Sequence, residues 1–307
     1  MSSAVRVGSL TLPAPLMTAS GTAGHGAELA PYFDLSELGA FVVKSLAAFE
    51  WAGNPSPRVH PAGVGMLNAV GLQGPGVQHW VAEELPGLAA TGARVVASIW
   101  GRSLEDYRAA ADMLASAPAA VIAVEVNLSC PNLEGRRGIF AHDAALSADV
   151  IAATAGCGRP RWAKLSPNTD RVVEVAQAVH AAGAEAVTLV NTLLGMVLDP
   201  HTGRPVLGAG GGGYSGRPVH PVAVRTIYDV HAALPELPIV GAGGVASGWD
   251  AAELMLAGAS AVQVGTATFA DPTAPLRVQN ELLAWCSQRG LTPAELTGLA
   301  HRGGLPR

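Results

Sequence analysis

Short runs rich in Val, Ile and Leu recur along the chain, and most are followed by an Ala-rich stretch of helical periodicity. The runs fall at 15–19, 40–44, 94–99, 121–127, 161–165, 186–190, 238–242 and 261–265. The clearest helical stretches are 104–116, 143–154, 171–182, 218–233 and 248–258. A strand that returns through a helix comes back parallel to itself, so a chain repeating this unit builds a parallel sheet covered by helices. Eight such units in 307 residues predict an α/β fold in which the sheet closes on itself, a TIM-type (β/α)8 barrel forming one domain over residues 1–307. No Gly-x-Gly-x-x-Gly follows the first run, which argues against an open dinucleotide-binding sheet. Three long segments, 51–80, 131–142 and 195–217, follow strand ends and are expected to lie over the active site. A short helix is expected over 293–300.

Composition narrows the partners. Hydrophobic residues make up 49% of the chain but aromatics only 5%, so the core must be built from Ala, Val, Leu and Ile, as suits strands buried on both faces. The net charge of -5, with no basic run, gives no footprint for nucleic acid. No apolar stretch approaches the ~20 residues of a membrane span. Residues 1–20 lack the charged-then-apolar pattern of a secretory signal, so a cytoplasmic protein is expected. The three cysteines, Cys130, Cys157 and Cys286, have no Cys-x-x-Cys spacing. That argues against a disulfide framework, a zinc site or a four-cysteine iron–sulfur cluster in this chain. No metal site is expected, and His142, His201 and His220 are expected in loops or at the surface.

In barrel enzymes the chemistry sits at the C-terminal ends of the strands. Those ends carry Ser20, Gly21, Lys44, Ser45, Ser98, Asn127, Lys164, Asn191, Gly243, Gly244, Gly265 and Thr266. Of the 19 basic residues only Lys44 and Lys164 are lysines, and both fall in this set, which suggests sites that need a point charge in place of a guanidinium fork. The last two strands end in Gly-Ala-Gly-Gly-Val (241–245) and Val-Gly-Thr-Ala (264–267). Glycine lets backbone amides approach an anion, and the loops after strands 7 and 8 are the usual phosphate site of such barrels, so a phosphorylated cofactor is expected there. Cys130 stands just past the fourth strand in Glu-Val-Asn-Leu-Ser-Cys-Pro-Asn (125–132), among polar neighbours. A thiol of ordinary pKa ~8.5 keeps a small thiolate fraction at neutral pH, so Cys130 is a candidate base or nucleophile. Cys157 and Cys286, in Ala-rich helical contexts, are expected to be structural. The carboxamides of Asn68, Asn127, Asn132 and Asn191 offer paired donors and acceptors suited to the edge of a planar imide or amide ring.

With these residues in view, the chain resembles the class 1 dihydroorotate dehydrogenases, FMN enzymes of pyrimidine synthesis. The resemblance is carried by Thr-Ala-Ser-Gly (18–21), Asn-Pro-Ser-Pro-Arg (54–58), Met-Leu-Asn-Ala-Val-Gly-Leu-Gln (66–73) and Asn-Leu-Ser-Cys-Pro-Asn (127–132). Lys-Leu-Ser-Pro-Asn (164–168), Asn-Thr-Leu-Leu-Gly (191–195), Gly-Tyr-Ser-Gly (213–216) and the two glycine-bearing strand ends extend it over nearly the whole chain. It implies that FMN is held by Ala19, Ser20, Gly21, Lys44, Ser45, Ser98, Asn127, Lys164, Val190, Gly216, Gly243, Gly244, Gly265 and Thr266. It implies that dihydroorotate is held by Lys44, Asn68, Ala69, Val70, Gly71, Leu72, Asn127, Asn132, Asn191 and Thr192, with Cys130 as the catalytic base and Lys164 as a second catalytic residue.

Cysteine in the motif implies class 1, and the wording around 140–143, 191–195 and 269–272 looks more like the NAD-linked type. That type implies a partner subunit carrying FAD and a [2Fe-2S] cluster, and a homodimeric core. The alternatives are a relative using fumarate or another acceptor, an FMN barrel acting on another dihydropyrimidine, and a barrel that binds without turnover. Two departures stand out. Ser98 stands where the family often has Asn, which puts one flavin hydrogen bond in question; Arg136 and Arg137 stand where relatives of this type often have glycine.

Overall fold

The computed structural model describes residues 2–129 and 140–305. Its centre is a parallel sheet of eight strands, Leu16–Thr18, Phe41–Val42, Val95–Ile99, Val121–Asn127, Arg161–Lys164, Ala186–Leu189, Ile239–Ala242 and Ala261–Val264, each within one of the eight runs expected from sequence. Neighbours in the sheet are neighbours in sequence, and the eighth strand pairs with the first. The first and second strands complete the ring. Met17 bridges Ala40, the Gly39 amide donates to the Leu16 carbonyl at 2.7 Å, and the buried Thr18 hydroxyl accepts from the Val42 amide at 2.8 Å. The barrel is therefore closed, and its strands expose no free edge.

Helices cover the outside. Three of the starts follow from capping: Ser103, Asp143 and Ser247 each accept a hydrogen bond from a backbone amide of the first turn, opening the helices Leu104–Leu114, Ala144–Ala153 and Gly248–Ala257. Strand residues are buried on both faces almost throughout. The exceptions in chemistry are a few buried polar side chains, among them Ser98, Glu125, Asn127, Lys164, Thr188 and Gln263.

Two of the expected long segments carry short strands. Segments of 51–80 and 195–217 pair into a four-stranded antiparallel sheet in the order Leu193–Gly195, Gly212–Gly216, Gly65–Asn68, Val59–Ala62. The chain is then helical from Val77 to Ala90. Backbone pairing, which the glycine-rich sequence conceals, joins the short strands of the two segments. Of the third segment, 131–142, only Phe140–His142 lies within the described residues, as one turn of 3-10 helix. The expected helix at 293–300 is shorter, Pro293–Leu296, followed by a 3-10 turn at Leu299–Arg302. An N-terminal hairpin, Val5–Val7 with Leu10–Leu12, adds a pair of strands outside the eight-stranded barrel.

Candidate active site

At the C-terminal mouth of the barrel lies a cavity of about 700 Å³, roofed by the antiparallel sheet through Val59, Met66, Asn68, Leu194 and Tyr214. The volume falls in the range of small-molecule sites. Of the strand-end residues expected there, Ala19, Ser20, Gly21, Lys44, Ser45, Asn127, Lys164, Val190, Gly216, Gly243, Gly244, Gly265 and Thr266 line it. So do Asn68, Ala69, Val70, Gly71, Leu72, Asn191 and Thr192. Cys130, Asn132, Arg136 and Arg137 lie outside the described residues, although Ser129, which immediately precedes Cys130, lines the cavity.

Ser98 is placed differently from the expectation. Its side chain is fully buried and is not part of the cavity wall; its hydroxyl pairs with that of Ser45 at 2.9 Å. Ser45 in turn pairs with Ser20 at 3.1 Å and accepts from the Asn127 amide at 3.4 Å. Ser98 thus supports a lining residue and does not line the cavity itself.

The carboxamides converge. Asn127 and Asn191 meet across the mouth, the Asn68 amide donates to the Gly213 carbonyl at 3.4 Å, and the Thr192 amide donates to Asn191 Oδ1 at 2.8 Å. Gly213 permits this approach: a Cβ there would fall 2.1 Å from the Thr192 hydroxyl. Residues 69–72 are held by Trp51 and Asn54. Trp51 Nε1 donates to the Gly71 carbonyl at 3.0 Å, and Asn54 Nδ2 to the Ala69 carbonyl at 3.1 Å. Leu72 is in the left-handed region at φ 62, a strained conformation for a branched side chain that such clamping must offset.

Elsewhere in the cavity wall, the amides of Gly244, Gly265 and Thr266 donate to no backbone carbonyl among the described residues. A Cβ on Gly244 would come within 2.8 Å of the His220 backbone nitrogen and 3.0 Å of the Gly216 carbonyl. The loop is shaped for bare backbone, and open amides in a cleft are anion ligands. His220 is a correction to the sequence expectation. It is buried, its Nδ1 is 2.9 Å from the Gly243 carbonyl and its Nε2 is 3.0 Å from Glu253, so it braces this loop from behind.

Several residues of the site carried no assigned role in the sequence. Glu125 is fully buried beneath Lys164, 3.3 Å from its ammonium. Asn168 donates to the Thr192 carbonyl at 3.0 Å and accepts from the Leu194 amide at 2.9 Å, steadying the Asn191–Thr192 corner. Its only sequence signal was a place in the motif 164–168. Arg102 lies on the rim, 4.2 Å above the Phe49 ring, with its Nε 3.2 Å from Asp106. Among the described residues, the lining thus includes three cations, Lys44, Lys164 and Arg102, and no carboxylate. A cavity of that sign selects anions. Cys157 and Cys286 are buried and unpaired, and burial pushes both thiols up, away from reactivity.

Comparison with known proteins agrees with this geometry. The family model described as dihydroorotate dehydrogenase matches residues 2–285. The chain belongs to the dihydroorotate dehydrogenase family. Its relatives include the "Dihydroorotate dehydrogenase B (NAD(+)), catalytic subunit" of Desulforudis audaxviator, 44% identical over 98% of both chains. The protein of the same name from Trichlorobacter lovleyi is 42% identical over 94% of both. A Solibacter usitatus relative, 43% identical over 93% of both, carries the fumarate-linked designation. As a member of this family the chain is a flavin-dependent oxidoreductase. No helix among the described residues is long and apolar enough to cross a membrane.

Proposed function

We propose that this chain is the catalytic subunit of a dihydroorotate dehydrogenase. It binds FMN, oxidises dihydroorotate to orotate for UMP synthesis in the cytoplasm, and passes electrons to NAD through a partner subunit carrying FAD and a [2Fe-2S] cluster. Its own core is a homodimer. One observation carries the reading: a single cavity joins three cations, no described carboxylate, a set of fixed carboxamides and a cradle of open amides. The cradle and the cations match the two anions of the reaction, a cofactor phosphate and a substrate carboxylate.

Gly243, Gly244, Gly265 and Thr266 hold the phosphate through backbone amides and one hydroxyl. Ala19, Ser20, Gly21, Ser45, Val190 and Gly216 complete the cofactor's surroundings. Lys44 pairs with the substrate carboxylate. Asn68, Asn127, Asn191 and Thr192, with Asn132, orient the dihydropyrimidine ring, and residues 69–72 close over it. When bound, FMN supplies the two-electron acceptor for the hydride leaving C6. Cys130 takes the proton from C5, a task worth ~10²–10⁴-fold for a positioned base. Lys164 keeps a fixed positive charge against the cavity before any charge develops, which is preorganised electrostatic stabilisation.

The test is direct. The purified protein should be yellow, release FMN on denaturation, and bleach when dihydroorotate is added without oxygen. Colourless protein, or a flavin that dihydroorotate leaves oxidised, overturns the reading. The Solibacter relative supports a second acceptor, fumarate. Rapid reoxidation of the bleached protein by fumarate alone favours that acceptor; reoxidation by NAD only with the partner subunit favours the first.

A further inference from the structure

We propose that Glu125 sets the redox poise of the bound flavin by acting through Lys164. The inference rests on the cavity being the flavin site. Glu125 projects from the fourth barrel strand, is fully buried, and does not line the cavity. Its Oε1 accepts from Lys164 Nζ at 3.3 Å. Its Oε2 accepts from Thr188 Oγ1 at 3.0 Å and from Gln263 Nε2 at 2.7 Å. Gln263 Oε1 also accepts from Lys164 Nζ at 3.3 Å. Lys164 and Gln263 both face the cavity.

Four barrel strands therefore combine to fix one ammonium and to place a carboxylate behind it. The cavity sees a cation partly cancelled by its own counter-charge. Both charges are out of water, where their fields are weakly screened. Reduction adds negative charge to a flavin. The field of Lys164 favours that step and the field of Glu125 opposes it, so Glu125 holds the potential below the value an uncompensated lysine would give. It touches no reacting atom and is a positioning residue.

The measurement is the midpoint potential of the flavin in the holoenzyme, by equilibrium titration against reference dyes. Glu125→Gln keeps the shape and removes the charge. It should favour reduced over oxidised flavin by at least about tenfold, a positive shift of about 30 mV for a two-electron couple. Glu125→Asp keeps the charge and changes the shape; its potential should stay nearer that of the unaltered protein than Glu125→Gln does. A role in packing alone predicts the opposite order. Thr188→Val removes a neutral donor, leaves the carboxylate charge less dispersed, and should move the potential the other way by a smaller amount. An unmoved potential in yellow, folded Glu125→Gln protein overturns the proposal. If that variant does not fold, an unmoved potential in Thr188→Val does so. An unaltered protein that takes up no flavin would instead sink the functional reading itself.

Discussion

The side-chain amide of Asn191 donates to Asn127 Oδ1 at 3.2 Å, tying the ends of two barrel strands that are 64 residues apart in sequence. The same oxygen accepts the Ser129 amide at 3.1 Å, and Asn191 Oδ1 accepts the Thr192 amide at 2.8 Å. Neither carboxamide can flip without losing these bonds, so both present fixed donors to the cavity. A buried hydrogen-bonding group left unmet costs about 1–3 kcal/mol. Asn191→Ala should therefore raise KM for dihydroorotate by roughly 10–100-fold while the protein stays yellow. Steady-state kinetics with flavin absorbance checks this, and an unchanged KM would remove Asn191 from the substrate site.

Cys130→Ser replaces a thiol with a hydroxyl of far higher pKa. Flavin reduction by dihydroorotate at neutral pH should slow by roughly 10²–10⁴-fold, with flavin content unchanged. Anaerobic stopped-flow reads the rate. Bleaching as fast as in the unaltered protein rejects Cys130 as the base.

Gly244 sits at φ 70, and a Cβ there meets backbone on two sides. Gly244→Ala must strain the loop that presents the open amides, at about 1–3 kcal/mol. The purified variant should carry well below one flavin per chain and melt earlier. Full flavin occupancy would show that this loop does not hold the phosphate. Gly87 provides the contrast. It lies in the helix Leu85–Ala90, where an added Cβ meets nothing within 4 Å. Gly87→Ala should stabilise the fold by about 0.5–1 kcal/mol in urea titration and leave flavin content alone.

Burial, reinforced by the neighbouring Lys44 ammonium and partly offset by Glu28, lowers the His25 imidazole from 6.5 to about 4. Between those values the unfolded chain binds a proton that the folded chain refuses, so His25 subtracts stability as pH falls through 6.5 toward 4 and has no such effect above 6.5. His25→Gln should lose less stability than the unaltered protein between pH 7 and pH 5. Urea midpoints at the two pH values decide it; equal losses would mean that His25 does not titrate in this window.

The barrel was legible because its signal is local. Runs such as Val-Ile-Ala-Val-Glu-Val-Asn (121–127), alternating with Ala-rich amphipathic stretches, leave few ways to bury apolar surface. The lining residues were legible for a related reason, since strand ends of a parallel barrel share one rim. The antiparallel roof was not legible. Gly-Gly-Tyr-Ser-Gly (212–216) has no alternation of its own and becomes a strand by pairing with 193–195 on one side and, on the other, with 65–68, nearly 150 residues earlier. Ser98 shows the limit of the strand-end rule: it stands at a strand end, yet it is fully buried against Ser45 and does not line the cavity.

Sequence by itself determined the parallel barrel, the rim on which Lys44, Lys164, Asn127 and Asn191 gather, and the glycine-bearing ends of the last two strands, because periodicity and residue type act over a few neighbours. Tertiary structure alone decided what surrounds each charge. Glu125 reads in sequence as a stray carboxylate in an apolar strand; only closure of the barrel brings Lys164, Thr188 and Gln263 to it, across 39, 63 and 138 residues. A buried charge is tolerated only where such partners meet it, and that meeting is a property of the closed ring.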